Sequence, residues 1–301
     1  MNYVMHNHVD SIAHALFRPS GVGGVYARTG LFERVIDGLT ALISRYRPSD
    51  AEIFKFPPVM SRAMVEKSGY LKSFPHLLGC VSCLHGTELE IRAVVESAGS
   101  GKDWVGALKA TDLVLAPAAC YPIYPMAAAR GAVPAGGLRF DVTCDCFRHE
   151  SSYELGRFQS FRMREYVCIG TPEEVVDFRE RWKIRALELA KQLALPHQTT
   201  AASDPFFGRA GKMMAVSQVE QELKFELLIP INSAENPTAC MSFNYHQGHF
   251  GETWGIETAT GGLAHTACVA FGMDRLALAM FATHGIELDK WPPSVRELLA
   301  I

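Results

Sequence analysis

The stretch 146–166 reads CFRHESSYELGRFQSFRMREY. Two β-prone segments, extending over 138–150 and 157–169, flank the turn-forming run SSYELG, a pattern that predicts a long antiparallel hairpin. Side chains alternate faces along a strand, so Arg148 and Glu150 are expected to point the same way. An arginine presents a planar fork of donors suited to phosphate oxygens. The aromatic rings of Phe158 and Phe161 on the return strand offer stacking surface. Taken alone, the same residues also describe a surface hairpin laced with ion pairs.

Outward from the hairpin, the pattern becomes helical. Thr171 can cap, Pro172 suits a first helical position and Glu174 completes a capping box. Phe178, Trp182, Ala186, Leu189 and Leu193 then follow one face until Pro196. Upstream, Leu31, Phe32, Val35, Ile36, Leu39, Leu42, Ile43 and Tyr46 recur at helical spacing before Pro48, and a β-prone run at 52–56 meets Pro57-Pro58. Downstream, strands are expected at 222–231, 238–243 and 266–271, with a last helix over 272–284. Runs of antiparallel strand with helices beside them indicate an α+β fold, an antiparallel sheet flanked by helices. No repeat or flexible linker divides the chain, so residues 1–301 are expected to form a single domain.

The composition excludes several function classes. Lys and Arg number 29 against 32 Asp and Glu, a net charge of −3, which does not suit a broad nucleic-acid footprint. The N-terminal MNYVMHNHVDSIAHALFRPSG has no basic region followed by an apolar run, so it does not read as a signal peptide. The most apolar stretch, 113–129, is interrupted by Pro117, Pro122 and Pro125 and reads as buried strand and loop, not a membrane span. A cytoplasmic chain is expected. Its eight cysteines then read as core thiols and metal ligands, not a disulfide framework.

Phe147-Arg148-His149-Glu150, followed by Arg157-Phe158-Gln159-Ser160-Phe161 and then Glu165, resembles motif 2 (about 144–169) of the class II aminoacyl-tRNA synthetases, with the spacing of the seryl branch. Phe271-Gly272-Met273-Asp274-Arg275-Leu276 resembles motif 3 (about 266–284), and the segment at about 31–58 is similar to motif 1, the dimer-interface element. The resemblance implies that Arg148 meets the α-phosphate of ATP and Arg275 its γ-phosphate, that Phe161 lies under the adenine, and that Glu150 lies near the adenine amino group. Arg157 and Phe158 would close over the nucleotide. Lys224 would be a phosphate-binding lysine, although a lysine at a strand edge is commonly just solvated. Ala239, Cys240, Met241 and Ser242 would carry nucleotide and magnesium contacts, with Glu226 as a helper. Asp274 is expected to orient Arg275 or cap its helix. Fixed positive charge of this kind is what adenylate formation needs, because a carboxylate must attack a phosphorus surrounded by negative oxygens.

Cys120, Glu165 and Cys268 match the zinc-ligand positions of the methanogenic-type seryl-tRNA synthetases and of the amino acid:[carrier protein] ligases related to them. Three protein ligands with one open position is the pattern of a working zinc. The resemblance implies one Zn2+ per chain whose open position receives the substrate amine, with Glu165 between metal and amino acid. Each cysteine alone reads as a small buried hydrophobe. Cys80-Val81-Ser82-Cys83 is a competing candidate but only half of a four-cysteine site, and the Cys144/Cys146 pair reads as packing. His246, His249 and His265 are given no metal role.

The resemblance carries no tRNA-binding module in this chain, neither a coiled-coil arm before motif 1 nor a basic module after Ile286. It therefore implies a homodimeric amino acid:[carrier protein] ligase. Such an enzyme uses ATP with Mg2+ to form the adenylate of a small amino acid, glycine first and alanine second. It then passes the aminoacyl group to the phosphopantetheine thiol of a carrier protein. The alternatives are a truncated seryl-type tRNA synthetase and a catalytically silent paralogue that binds a partner.

Overall fold

A computed structural model describes residues 11–150, 152 and 154–301. Residues 1–10 of the N-terminal reading, and Ser151 and Tyr153 of the expected hairpin turn, lie outside the described residues. In chain order the strands are β1 (Phe17–Pro19), β2 (Tyr26–Arg28), β3 (Glu52–Lys55), β4 (Val59–Ser61), β5 (Cys80–Leu84), β6 (Leu108–Leu115), β7 (Leu138–Phe147), β8 (Ser160–Gly170), β9 (Gln198–Ala201), β10 (Lys224–Ile229), β11 (Thr238–Gln247) and β12 (His265–Gly272).

Seven of them form the central sheet in the order β3-β7-β8-β12-β11-β10-β9. The fold is α+β, as expected, but the sheet is mixed, not wholly antiparallel, because β3 pairs in parallel with β7. A parallel pair requires a long crossover. Here the chain between them supplies one, and it carries a separate sheet of order β4-β6-β5. The long hairpin is β7 and β8, in register from Leu138 opposite Ile169 to Phe147 opposite Ser160. Its strands stop short of Arg148 and Glu150, which lie in the connection.

The helix Gly30–Arg45 buries Phe32, Val35, Ile36, Leu39, Leu42 and Ile43, the face its spacing predicts. It packs against the helices Met273–His284 and Pro293–Leu299. Gly38 permits the second contact: a Cβ there would lie 2.7 Å from the carbonyl oxygen of Leu299. The helix Pro172–Gln192 opens on the predicted capping box of Thr171 and Glu174. Its Trp182 sits 4.9 Å from the Tyr166 ring and 5.8 Å from that of Phe271, which fastens it to the back of β8 and β12.

A buried ion pair fixes the hairpin to the first of these helices. Arg164 donates to both Asp141 oxygens at 2.8 and 2.6 Å and reaches Thr40 O and Ser44 Oγ, each at 2.9 Å. Arg47 adds a second cation 2.8 Å from Asp141. The apolar stretch expected as strand and loop contains a short helix, Ile123–Ala128, in which Pro125 is tolerated because first-turn N–H groups have no intrahelical partner. Among the described residues no helix is long and apolar enough to cross a membrane.

Candidate active site

One face of the central sheet, from β8 across β12 to β11 and β10, floors a cavity of about 440 Å3. Arg148, Glu150, Phe158, Phe161, Glu165, Lys224, Ala239, Cys240, Met241, Ser242, Arg275, Cys120 and Cys268 all line it. Of the expected site residues only Arg157 does not. Its half-exposed side chain is tied to Glu154 at 2.6 Å and to Glu150 at 3.3 Å, so it braces the hairpin connection.

At one end of the cavity Arg148 donates through Nε to Pro117 O at 3.0 Å, and its guanidinium lies 5.5 Å from the centre of the Phe161 ring. Across from it, Arg275 donates to Gly156 O at 2.9 Å and to Ala239 O at 3.1 Å. Among the described residues, the two guanidiniums are thus held by backbone carbonyls, not by carboxylates. Cations anchored this way keep their charge and their remaining donors for an anionic ligand.

Two expectations are corrected by what the side chains touch, and one alternative is set aside. Phe158 does not close over the cavity from outside; it is 5% exposed and packs on Phe17 at 5.4 Å, a wall of the core. Asp274 neither orients Arg275 nor caps the helix. It accepts from Arg28 Nε at 2.6 Å, from the Arg162 backbone at 2.5 Å and from Arg162 Nη2 at 2.9 Å, joining β2, β8 and the helix Met273–His284. Lys224 is not a solvated edge lysine. β10 runs between β9 and β11, and Lys224 is buried between Asp204 at 2.6 Å and Glu226 at 2.9 Å. Burial works against its charge, but the two carboxylates outweigh burial and raise its pKa.

At the other end, one ligand atom each from Cys120, Glu165 and Cys268 fall within 4.8 Å of one another, all three residues buried. The strands explain two of them. Glu165 faces Ala270 and Cys268 faces Val167, so they are diagonal neighbours on adjacent strands. Cys120 arrives from the Pro117-Ala118-Ala119 turn after β6. Glu165 Oε1 accepts from the Ala119 and Cys120 backbone N–H groups at 2.9 and 3.0 Å, which leaves the second oxygen available to a metal. The hydrogen bond from Cys268 lowers the Cys120 pKa, but burial and the Glu165 carboxylate overcome it and hold that thiol above its ordinary value. Cys268 is pushed well above its own by its bond with Cys120, by burial and by Glu165. A desolvated set of two thiols and a carboxylate is unfavourable when ionised unless a cation joins it, and it fits the S/S/O ligand set of a zinc with one position open. By contrast, Cys80 and Cys83 are exposed on the separate sheet, and Cys144 and Cys146 are buried packing.

The sequence reading missed Asp204, Ser68, Tyr70 and Asn244 on the cavity wall. Ser68 and Tyr70 are 3% and 4% exposed, and their hydroxyls have no hydrogen-bond partner among the described residues. Asn244 could have been found only from strand register, which sets it opposite Cys268.

No protein-family model matches the chain. Curated relatives do. It is 62% identical over 293 residues, 97% of this chain and 90% of the relative, to amino acid--[acyl-carrier-protein] ligase 1 of Bradyrhizobium diazoefficiens. It is 59% identical to ligase 2 of the same organism, over 97% of this chain and 88% of that protein. The type-2 serine--tRNA ligase of Methanopyrus kandleri is 28% identical over 61% of this chain and 37% of its own length. Among solved structures, M. kandleri SerRS in complex with A. aeolicus tRNASec superposes with a TM-score of 0.82 at 22% identity, covering 97% of this chain and 60% of that one. Seryl-tRNA synthetase from Pyrococcus horikoshii complexed with ATP gives 0.66 at 15% identity, over 98% and 63% of the two chains. These two likenesses establish a class II aminoacyl-tRNA synthetase fold. The identity to the two ligases along nearly the whole length shows more: this chain belongs to the amino acid--[acyl-carrier-protein] ligase family.

Proposed function

We propose that the enzyme activates a small amino acid, glycine first and alanine second, as its adenylate, and transfers it to the phosphopantetheine thiol of a carrier protein. The observation that carries this reading is one cavity with two chemically different ends. Arg148, Phe161 and Arg275 stand at one end and the Cys120/Glu165/Cys268 cluster at the other. The names of the 62% and 59% identical relatives support ligation to an acyl carrier protein.

In this reading ATP, with Mg2+, binds against Phe161, and Arg148 and Arg275 stabilise charge on the α-phosphate and on the departing pyrophosphate. Glu150, Lys224, Glu226 and the 239–242 strand complete the nucleotide wall. Zinc, when bound by Cys120, Glu165 and Cys268, supplies a fourth position for a neutral amine, which discriminates against carboxylates that lack one. The amino-acid carboxylate attacks the α-phosphorus and pyrophosphate leaves. The carrier thiol then attacks the carbonyl carbon and AMP leaves. A thiol needs little help from a general base, because some thiolate is already present near neutral pH. The enzyme works as a homodimer and does not charge tRNA.

The test is exchange of labelled pyrophosphate into ATP across the common amino acids, followed by transfer of labelled amino acid to carrier protein with and without its phosphopantetheine arm. Exchange led by glycine or alanine, with label only on the armed carrier, is the expected result. Efficient labelling of tRNA with none on the carrier would overturn it.

A further inference from the structure

We propose that His246 is a positioning residue for the metal site, donating its Nε2–H to Cys268 Sγ and kept in that tautomer by Thr266. The proposal rests on the zinc reading above. His246 Nε2 lies 3.7 Å from Cys268 Sγ, and its Nδ1 lies 2.9 Å from Thr266 Oγ1. A metal-bound thiolate only accepts hydrogen bonds, so the ring nitrogen facing it must carry the proton. The other nitrogen then accepts, and the fully buried Thr266 hydroxyl is the donor it meets. Asn244 Nδ2, 3.3 Å from the same sulfur, is a second donor. The chain therefore supplies Cys268 with two N–H groups from β11, the strand on the opposite side of β12 from β8, which carries Glu165.

The backbone argues independently that this placement is selected. β11 and β12 pair regularly through Tyr245 opposite Ala267, then slip so that Gln247, not His246, faces Thr266. His246 is thus the extra residue of a β-bulge, a feature that re-aims side chains beside active sites. The next residue, Gln247, has φ 52°, a left-handed conformation that a non-glycine residue adopts at a cost. The imidazole is also walled by Phe250 at 5.1 Å and by Tyr124 at 6.2 Å, both edge to face, which restricts its rotation. Outer partners of this kind orient metal ligands and set their donor strength.

The experiment measures zinc affinity of the metal-free chain by competition with a chromophoric chelator, alongside the near-ultraviolet thiolate band of the Co2+-loaded chain. His246→Phe keeps a planar ring without a donor, His246→Gln restores an N–H near the Nε2 position, and Thr266→Val removes the hydroxyl. His246→Phe should weaken zinc binding about 10- to 100-fold and move the Co2+ band to longer wavelength. Thr266→Val should move both in the same direction by less, and His246→Gln should recover most of the loss. Unchanged affinity and band in His246→Phe, with wild type holding zinc, overturns the role of His246 alone. Equal loss in the Phe and Gln variants, with lowered metal-free melting temperatures, also overturns it by showing a packing role. A wild-type chain that takes up no zinc overturns the metal reading itself.

Discussion

Arg275→Ala gives the sharpest test of the nucleotide end of the cavity. Two of the five N–H donors of a guanidinium are committed in Arg275, to Gly156 O and Ala239 O, so three remain for a ligand. Burial lowers its pKa, but an arginine stays charged at any working pH, and the low dielectric strengthens its attraction for phosphate. Losing one such donor from a transition state costs about 10²–10³ in rate, roughly 2.7–4 kcal/mol. The folding cost is separate and smaller, because the two carbonyls released face the cavity and can be rehydrated, at about 0.5–1.5 kcal/mol each. Arg275→Lys should recover little, since one ammonium cannot span both carbonyls and a phosphate in a fixed fork. The assay is pyrophosphate exchange at saturating ATP and amino acid, with thermal melting run in parallel. Exchange within about threefold of wild type in a folded Arg275→Ala would refute the electrostatic role, because a transition-state donor is worth far more.

Two further outcomes follow from the charge pairs. Asp141→Asn leaves the buried Arg164 and its neighbour Arg47 without a counter-charge and should cost about 3–5 kcal/mol of stability in denaturant titrations; a loss under about 1 kcal/mol would show that the pair contributes little net. Burial alone would raise the Asp204 pKa, but the Lys224 charge and the hydrogen bonds from Lys224 and Gln218 lower it overall. A carboxyl with a depressed folded pKa contributes stability above its unfolded pKa and loses it as pH falls through the folded value. Asp204→Asn should therefore be less stable than wild type at neutral pH, with the gap closing as pH drops below about 4; no gap at neutral pH would contradict the pairing.

The hairpin and its two flanking helices were legible because their information is local. The capping box at Thr171, the alternation along β7 and β8 and the apolar face of Gly30–Arg45 are each written within a few consecutive residues. What misled the reading depends on neighbours distant in sequence. Asp274 looks like a partner of Arg275 until β2 brings Arg28 to it. Phe158 has the same motif spacing whether it covers a ligand or the core, and only the approach of Phe17 decides. The parallel pairing of β3 with β7 is likewise a property of the long excursion between them, not of either strand. The metal cluster is the extreme case. Cys120, Glu165 and Cys268 come from a turn and two strands separated by 45 and 103 residues, and nothing in their immediate sequence distinguishes them from the packed thiols Cys144 and Cys146. Family resemblance supplied that grouping. The N–H donors around Cys268 lay beyond even that, because a bulge has no sequence signature and Asn244 meets the sulfur only through strand register. Local chemistry is thus readable from the chain wherever one element carries the whole constellation. A site stitched across strands becomes readable only when the register is known or a family resemblance supplies the grouping.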